Sequence, residues 1–175
     1  MLRGINVSGQ NPIRMPDLKA MYASLGFYAV TTYVQSGNVI FTCADQDLTE
    51  IVGMIEMGIE RSFGFTVPVI LRTRAEFGRI IQANPFIFGR NVDVEKLHVT
   101  FLRAEPPAAL LSNLAAPVAG VDEFALIGRE IYLYCPNGYG RTKYSNDYFE
   151  RKLKLSATTR NWKTVNALSD IAIAL

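Results

Sequence analysis

The spacing of hydrophobic positions changes several times along the chain, and each change marks an element. In residues 16–26 (PDLKAMYASLG), Leu18, Met21, Tyr22 and Leu25 recur at helical spacing. Pro16 suits a first turn and Gly26 stops the pattern, which predicts a helix. Residues 47–63 predict a second helix through Leu48, Ile51, Val52, Ile55, Ile59 and Phe63, with Gly64 as its stop. Between the two helices the pattern is that of strands. Residues 30–35 (VTTYVQ) and 38–43 (NVIFTC) are β-branched or aromatic and flank Ser36-Gly37, a hairpin signal. Residues 2–7 (LRGINV) and 67–72 (VPVILR) read as two more strands. The order strand, helix, strand, strand, helix, strand is the split βαβ, or ferredoxin-like, pattern.

The rest of the chain repeats this order less regularly. A helix fits 74–83, before Asn84-Pro85, and PFIFGRNVDVEK reads as an irregular loop. Residues 98–102 (HVTFL) predict a strand and 106–115 a helix opened by proline. Segments 122–127 and 130–135 predict a hairpin across Gly128-Arg129, followed by a loop, PNGYGRTKYS. A helix over 146–154 takes Ser145 as its N-cap, and a last helix fits 162–174, after ATTRN. The two hairpins end at Cys43 and Cys135, a weak internal echo that fits duplicated halves. The expected fold is α+β: two ferredoxin-like (βαββαβ-type) halves with antiparallel or mixed sheets, 1–72 and 73–175, the second ending in C-terminal helices.

Composition narrows the class. With 175 residues, 49% of them hydrophobic and 19% charged, the chain can bury a core and lacks the signature of disorder. A net charge of +2 is too small for a protein coated in nucleic-acid-binding lysines. The positive charge gathers at the end: residues 136–175 hold Arg141, Lys143, Arg151, Lys152, Lys154, Arg160 and Lys163 against Asp147, Glu150 and Asp170. Arg151, Lys152 and Lys154 fit the end of a helix, where they complement its dipole. Two distant cysteines make neither a disulfide framework nor a metal site, so no metal or cofactor is expected. The opening MLRGINVSGQNP has no apolar leader core, and no apolar run nears the ~20 residues of a membrane helix. The cytoplasm is the expected location.

The chain has no Walker A sequence, Rossmann fingerprint, GxSxG elbow or HExxH motif. Its one histidine, His98, shares a strand face with Thr100 and Leu102 and reads as a hydrogen-bonded structural residue. Three polar clusters remain. In Arg3-Gly4-Ile5-Asn6-Val7-Ser8-Gly9, a strand ending in short polar residues offers backbone N–H groups at a sheet edge, or simply turns. In Gln35-Ser36-Gly37-Asn38, the glycine makes the turn and Gln35 has no structural reason to be there. The third cluster carries the most. PNGYGRTKYS places two glycines ahead of Arg141 and Lys143, and ATTRNWKT places Thr158, Thr159, Arg160 and Asn161 before the last helix. Unpaired N–H groups at a helix start hold anions, and arginine and hydroxyls add donors. The competing account makes Asn161 or Thr159 a helix cap and Arg160 the partner of a buried carboxylate.

The motifs LRGINVSG (2–9), RMPDL (14–18), YVQSGNVIF (33–41), FGFTVPVILR (63–72), ANPF (83–86), PNGYGRTK (136–143) and ATTRNWKTV (157–165) run through the chain in order. On these it resembles the bacterial domain-of-unknown-function family numbered 1697. The resemblance implies an α+β fold of two ferredoxin-like parts and no assigned activity. Ser8 and Gln10 stand where that family carries Gly and Lys, which removes a positive charge from the first loop. The chain starts at Met1-Leu2, where the family has a few more strand residues, so either a shortened first strand or a start set later than in that family is expected.

The leading functional expectation is a binding module for a small anionic or nucleotide-like ligand. Its candidate residues are Arg3, Asn6, Gln35, Asn38, Arg72, Arg141, Lys143, Thr159, Arg160 and Asn161, with Arg72 ending a strand toward the edge used by Arg3. One alternative is single-stranded RNA stacked on Tyr33, Tyr132 and Tyr134, against which stand the low charge and the lack of an RNP-like run. Another is a small enzyme acting on a phosphorylated substrate, although no residue pattern supports an activated nucleophile. Self-association through edge strands is a fourth, and the sequence leaves the oligomeric state open.

Overall fold

The computed structural model describes residues 1–7, 9–88, 90–114, 116 and 121–175. Its contacts divide the chain into two units, Met1–Leu71 with Asp170–Leu175, and Arg72–Ser169. The architecture is mixed α+β with two antiparallel sheets and a C-terminal helix.

The first unit contains α1 (Met15–Ser24), β1 (Tyr28–Tyr33), β2 (Asn38–Thr42) and α2 (Leu48–Phe63). Both helices follow their predicted spans closely. Asp47 caps α2 by accepting from the N–H groups of Thr49 and Glu50, and Gly64 ends it at φ 80°. The apolar stripes meet in a core of Leu18, Met21, Tyr22, Ile51, Ile55 and Ile59, joined by Leu2, Ile5 and Val69. Burying each such side chain contributes roughly 1.5–3 kcal/mol. Gly58 lets α1 come close, because a Cβ there would lie 2.9 Å from the Met21 sulfur.

The two outer strands predicted for this unit are reduced to bridges. Leu2 pairs with Val69 and Val7 with Gln10. Gly4 (φ 72°) and Asn6 (φ 53°) turn the chain out of extended geometry, and Pro68 has no N–H to extend a ladder. What survives of the pairing is a set of backbone bonds: Arg3 N–H to Pro68 O (3.0 Å), Ile70 N–H to Met1 O (2.9 Å) and Leu2 N–H to Gly37 O (2.9 Å). The hairpin also differs from expectation. Its register pairs Tyr33 with Asn38, so Val34-Gln35-Ser36-Gly37 form a four-residue loop rather than a two-residue turn. Gly37 is irreplaceable there, since its φ is 74° and a Cβ would sit 2.7 Å from Leu2 Cβ.

The second unit begins with α3 (Arg74–Gln82), which Thr73 and Glu76 start with a capping box. Then come β3 (Leu97–Leu102), α4 (Ala108–Leu111), β4 (Glu123–Ile127), β5 (Glu130–Tyr134), α5 (Asn146–Leu153) and β6 (Ala157–Asn161). The sheet order is β4-β5-β3-β6, every neighbour antiparallel. On one face Leu102, Ile131, Leu133 and Ala157 pack with Phe149 and Leu153 of α5. On the other, Tyr132 donates to the Ile80 carbonyl of α3 (2.9 Å) and Phe77 lies 5.7 Å from the Phe101 ring. The predicted helix over 106–115 shrinks to one turn ahead of Ser112 and Asn113, which compete for backbone bonds; Ala115 lies outside the described residues. The final helix, α6 (Trp162–Ala174), matches its prediction.

Strand β6 is the main element the pattern did not announce, since ATTRN was read as the approach to a helix. Its pairing with β3 sets Thr159 opposite Thr100 and Arg160 opposite Val99. A strand with hydroxyls facing a threonine carries no apolar alternation, so periodicity does not detect it.

Candidate functional site

The loop after β5 is built from its glycines and tyrosines. Gly138 adopts φ 89° and ψ 145°, a region open to glycine, and its N–H donates to the Cys135 carbonyl (2.9 Å). A single 3-10 turn follows over Tyr139–Arg141. Tyr139 fastens the loop to the sheet: its ring stacks on His98 at 4.9 Å and its hydroxyl donates to Thr159 Oγ1 at 3.0 Å. Tyr144 fastens the far end, buried edge-on against Phe124. Ser145 then caps α5 by accepting from the Tyr148 N–H. With both ends anchored, Arg141 and Lys143 are left exposed.

These two cations line a cleft of about 290 Å³ together with Val121, Asp122 and Tyr144. Lys143 Nζ stands 5.0 Å from the Tyr144 ring centroid, a cation–π distance. Among the described residues, neither Arg141 nor Lys143 has a carboxylate oxygen within 4.0 Å, Asp122 included. The Tyr144 hydroxyl is buried with no hydrogen-bond partner among them. Behind the cleft lies Cys135, whose thiol is pushed up to about 11 by burial and by the Asp122 carboxylate, against a weaker opposing bond from Thr142.

A saturated hydroxyl network lies under the loop. Thr159 Oγ1 accepts from Tyr139, donates to Asn146 Oδ1 (2.7 Å) and bonds to Thr100 Oγ1 (2.6 Å). One hydroxyl has one proton and two lone pairs, so three bonds use Thr159 fully. Arg160 is buried, with Nη1 donating to Thr158 Oγ1 (2.7 Å) and to the Thr159 carbonyl (2.8 Å). Asn161 caps α6 by accepting from the Thr164 N–H (2.8 Å). Asn161 is thus a helix cap, while Thr159 and Arg160 lie on a strand rather than at a helix start.

Arg72 of the second unit and Asn6 and Asn38 of the first make internal structural bonds. Arg72 Nε donates to Glu130 Oε1 (2.6 Å), and its Nη2 donates to the Leu102 carbonyl (2.7 Å). Burial lowers the Arg72 pKa, and the Glu130 carboxylate offsets part of this. In the first unit, Asn6 accepts from the Ile13 N–H (2.8 Å) and donates to the carbonyls of Ile13 and Gln35 (both 2.9 Å). Asn38, fully buried, donates to the Tyr33 carbonyl (3.1 Å) and to Ser36 Oγ (3.0 Å), closing the hairpin loop. Gln35 is exposed and Arg3 half-buried. Ser8 of the first cluster lies outside the described residues.

Of the ten sequence-predicted candidates, Arg141 and Lys143 share the cleft. Asp122 and Tyr144 were missed as partners, because Asp122 reads as the first residue of a strand and Tyr144 as loop. The only hint was the pairing of a carboxylate with apolar Val121 just before a hairpin. His98 is the structural residue expected: Nδ1 lies 3.3 Å from the Lys96 carbonyl, and burial lowers its pKa. Tyr132 is 1% exposed, so it offers no face to a base. Tyr134 packs beside Phe86 under the Arg90 guanidinium. Among the described residues there is no group of three or more metal-ligating side chains, and no helix is long and apolar enough to cross a membrane.

A solved structure, that of the conserved bacterial protein SP0830 from Streptococcus pneumoniae, superposes with a TM-score of 0.72. It is 22% identical in sequence, and the alignment covers 98% of this chain and 96% of that one, a likeness of fold. No curated protein gives a significant match in sequence. The model of one family, described as a protein of unknown function (DUF1697), matches residues 1–132, ending ahead of PNGYGRTK and ATTRNWKTV. With three quarters of its length so matched, the chain belongs to the DUF1697 family of proteins of unknown function.

Proposed function

We propose that this protein is a binding module for a small anionic ligand, held at the cleft beside the glycine loop. The observation that carries the reading is the state of Arg141 and Lys143. Both are exposed, both border one concave space of about 290 Å³, and neither is neutralised by a carboxylate of the described residues. A concave site concentrates the field of its charges, and two unneutralised cations favour a phosphate or carboxylate. The volume is near the lower bound for small-molecule sites, about 300 Å³, and suits a ligand of few heavy atoms better than a whole nucleotide. The anchoring of Tyr139 and Tyr144 supports the same reading, since a preorganised loop loses little entropy on binding.

The fold reading belongs with it. We read the second unit as ferredoxin-like: its strand, helix, strand, strand, helix, strand succession and its β4-β5-β3-β6 order support this. The first unit is read as a variant of that plan whose outer strands shrank to the Leu2–Val69 bridge. The RNA reading is the weaker one, because burial of Tyr132 removes its stacking platform. The enzyme reading has no observation in its favour.

Thermal denaturation with inorganic phosphate tests the proposal. A ligand at a hundred times its Kd stabilises the native state by about 2.7 kcal/mol. Phosphate is expected to raise the Tm of the wild type in a saturable way. The double variant R141A/K143A is expected to keep its own Tm, since both side chains are exposed, and to lose the response. An equal rise in both proteins contradicts the assignment.

A further inference from the structure

The cleft carries charges of both signs, and this says more about the ligand than its anionic character. Asp122 borders the same space as Arg141 and Lys143, yet no N···O distance of 4.0 Å or less joins it to either. Opposite charges that share a concave surface without pairing leave each to be satisfied from outside, by water or by a ligand. Exposed Val121 supplies apolar surface in the same space, and Lys143 leans over the buried Tyr144 ring beneath it. The side chains thus offer two positive groups, one negative group and a short apolar surface.

Resting on the anion-binding reading above, we infer that the cleft is built for a short zwitterion: a phosphate monoester at Arg141 and Lys143, joined by a small carbon spacer to an ammonium group at Asp122. The charges match group for group, two negative on the ester dianion and one positive on the amine. The gap of more than 4.0 Å between Asp122 and the cations calls for a ligand with separated ends rather than a lone anion. The exposed apolar side chain of Val121 suits the spacer. Asp122 then gives specificity: a simple anion leaves its carboxylate facing the ligand with no donor, and a negatively charged tail is repelled.

Titration calorimetry with the full-length chain separates this inference from the reading beneath it. The probes are methyl phosphate and phosphoethanolamine, which share the phosphate ester and differ in the ammonium. The wild type is expected to bind phosphoethanolamine about ten-fold more tightly than methyl phosphate, the scale of one charge-assisted bond. Asp122→Asn is expected to erase that preference while still binding methyl phosphate, which also shows that the variant is folded. Lys143→Gln is expected to weaken both probes alike. Equal affinities in the wild type, or a preference that survives Asp122→Asn, overturn the zwitterion inference and leave the anion site standing. Failure of the wild type to bind either probe overturns both.

Discussion

His98 and Cys135 are the residues whose titration reports most directly on the second unit. His98 is the single histidine of the chain, so its imidazole resonances can be followed without ambiguity. Burial lowers its pKa below the ordinary 6.5, opposed in part by the Lys96 carbonyl. A group depressed in the folded state contributes its full stability above the unfolded value, and this is lost as pH falls from 6.5 toward the folded value. The imidazole is therefore expected to titrate below 6.5 by NMR, and a midpoint at or above it contradicts the packing on Tyr139. Cys135 runs the opposite way. Its thiol is held up to about 11, so its contribution is complete below the ordinary 9.0 and fades as pH rises toward 11. At pH 8 a thiol reagent is expected to modify half-buried Cys43 first, and Cys135 only once denaturant opens the fold. Equal rates in the native protein count against the buried assignment.

At the scale of elements, the capping box of α3 gives a clean test of local energetics. Thr73 Oγ1 accepts from the Glu76 N–H (3.2 Å), and Glu76 Oε2 accepts from the Thr73 N–H (2.7 Å). Thr73→Ala is expected to cost about 1 kcal/mol in denaturant unfolding, the usual loss for an N-cap. Glu76 also pairs with Arg129. Burial pushes the Glu76 carboxyl up, but the Thr73 N–H and the Arg129 guanidinium together hold it below 4.5. Its contribution is thus present above 4.5 and lost as pH falls through the folded value, and Glu76→Gln is expected to flatten that acid limb.

Helices with a stripe and a boundary signal were legible in sequence: Gly64 ends α2, and Ser145 opens α5. Elements defined by distant pairing were not. Residues 2–7 are apolar enough for a strand, yet Gly4 and Asn6 turn, while ATTRN becomes β6 because β3 lies beside it. The same divide separates the residues of the proposed site. Arg141 and Lys143 were visible because glycines and cations in a loop have no internal task. Asp122 was not, since only the folded chain brings it to their cleft.

For the whole molecule, what matters is which polar residues are already occupied. Asn6, Asn38, Arg72, Thr159 and Asn161 spend their donors and acceptors on the protein itself, each lending rigidity to a loop or a helix start. A buried donor or acceptor left unpaired costs about 1–3 kcal/mol, which is reason enough for these residues without a ligand. Among the described residues the Arg141 and Lys143 side chains have no such hydrogen bond or ion pair, and they border a concave space. The most direct measurement is a backbone amide NMR titration of the wild type with phosphate. Saturable shifts centred on residues 121–122 and 138–144 are the expected result. Shifts centred on Arg3, Asn6 and Gln35 instead, or no shift at saturating phosphate, contradict the account.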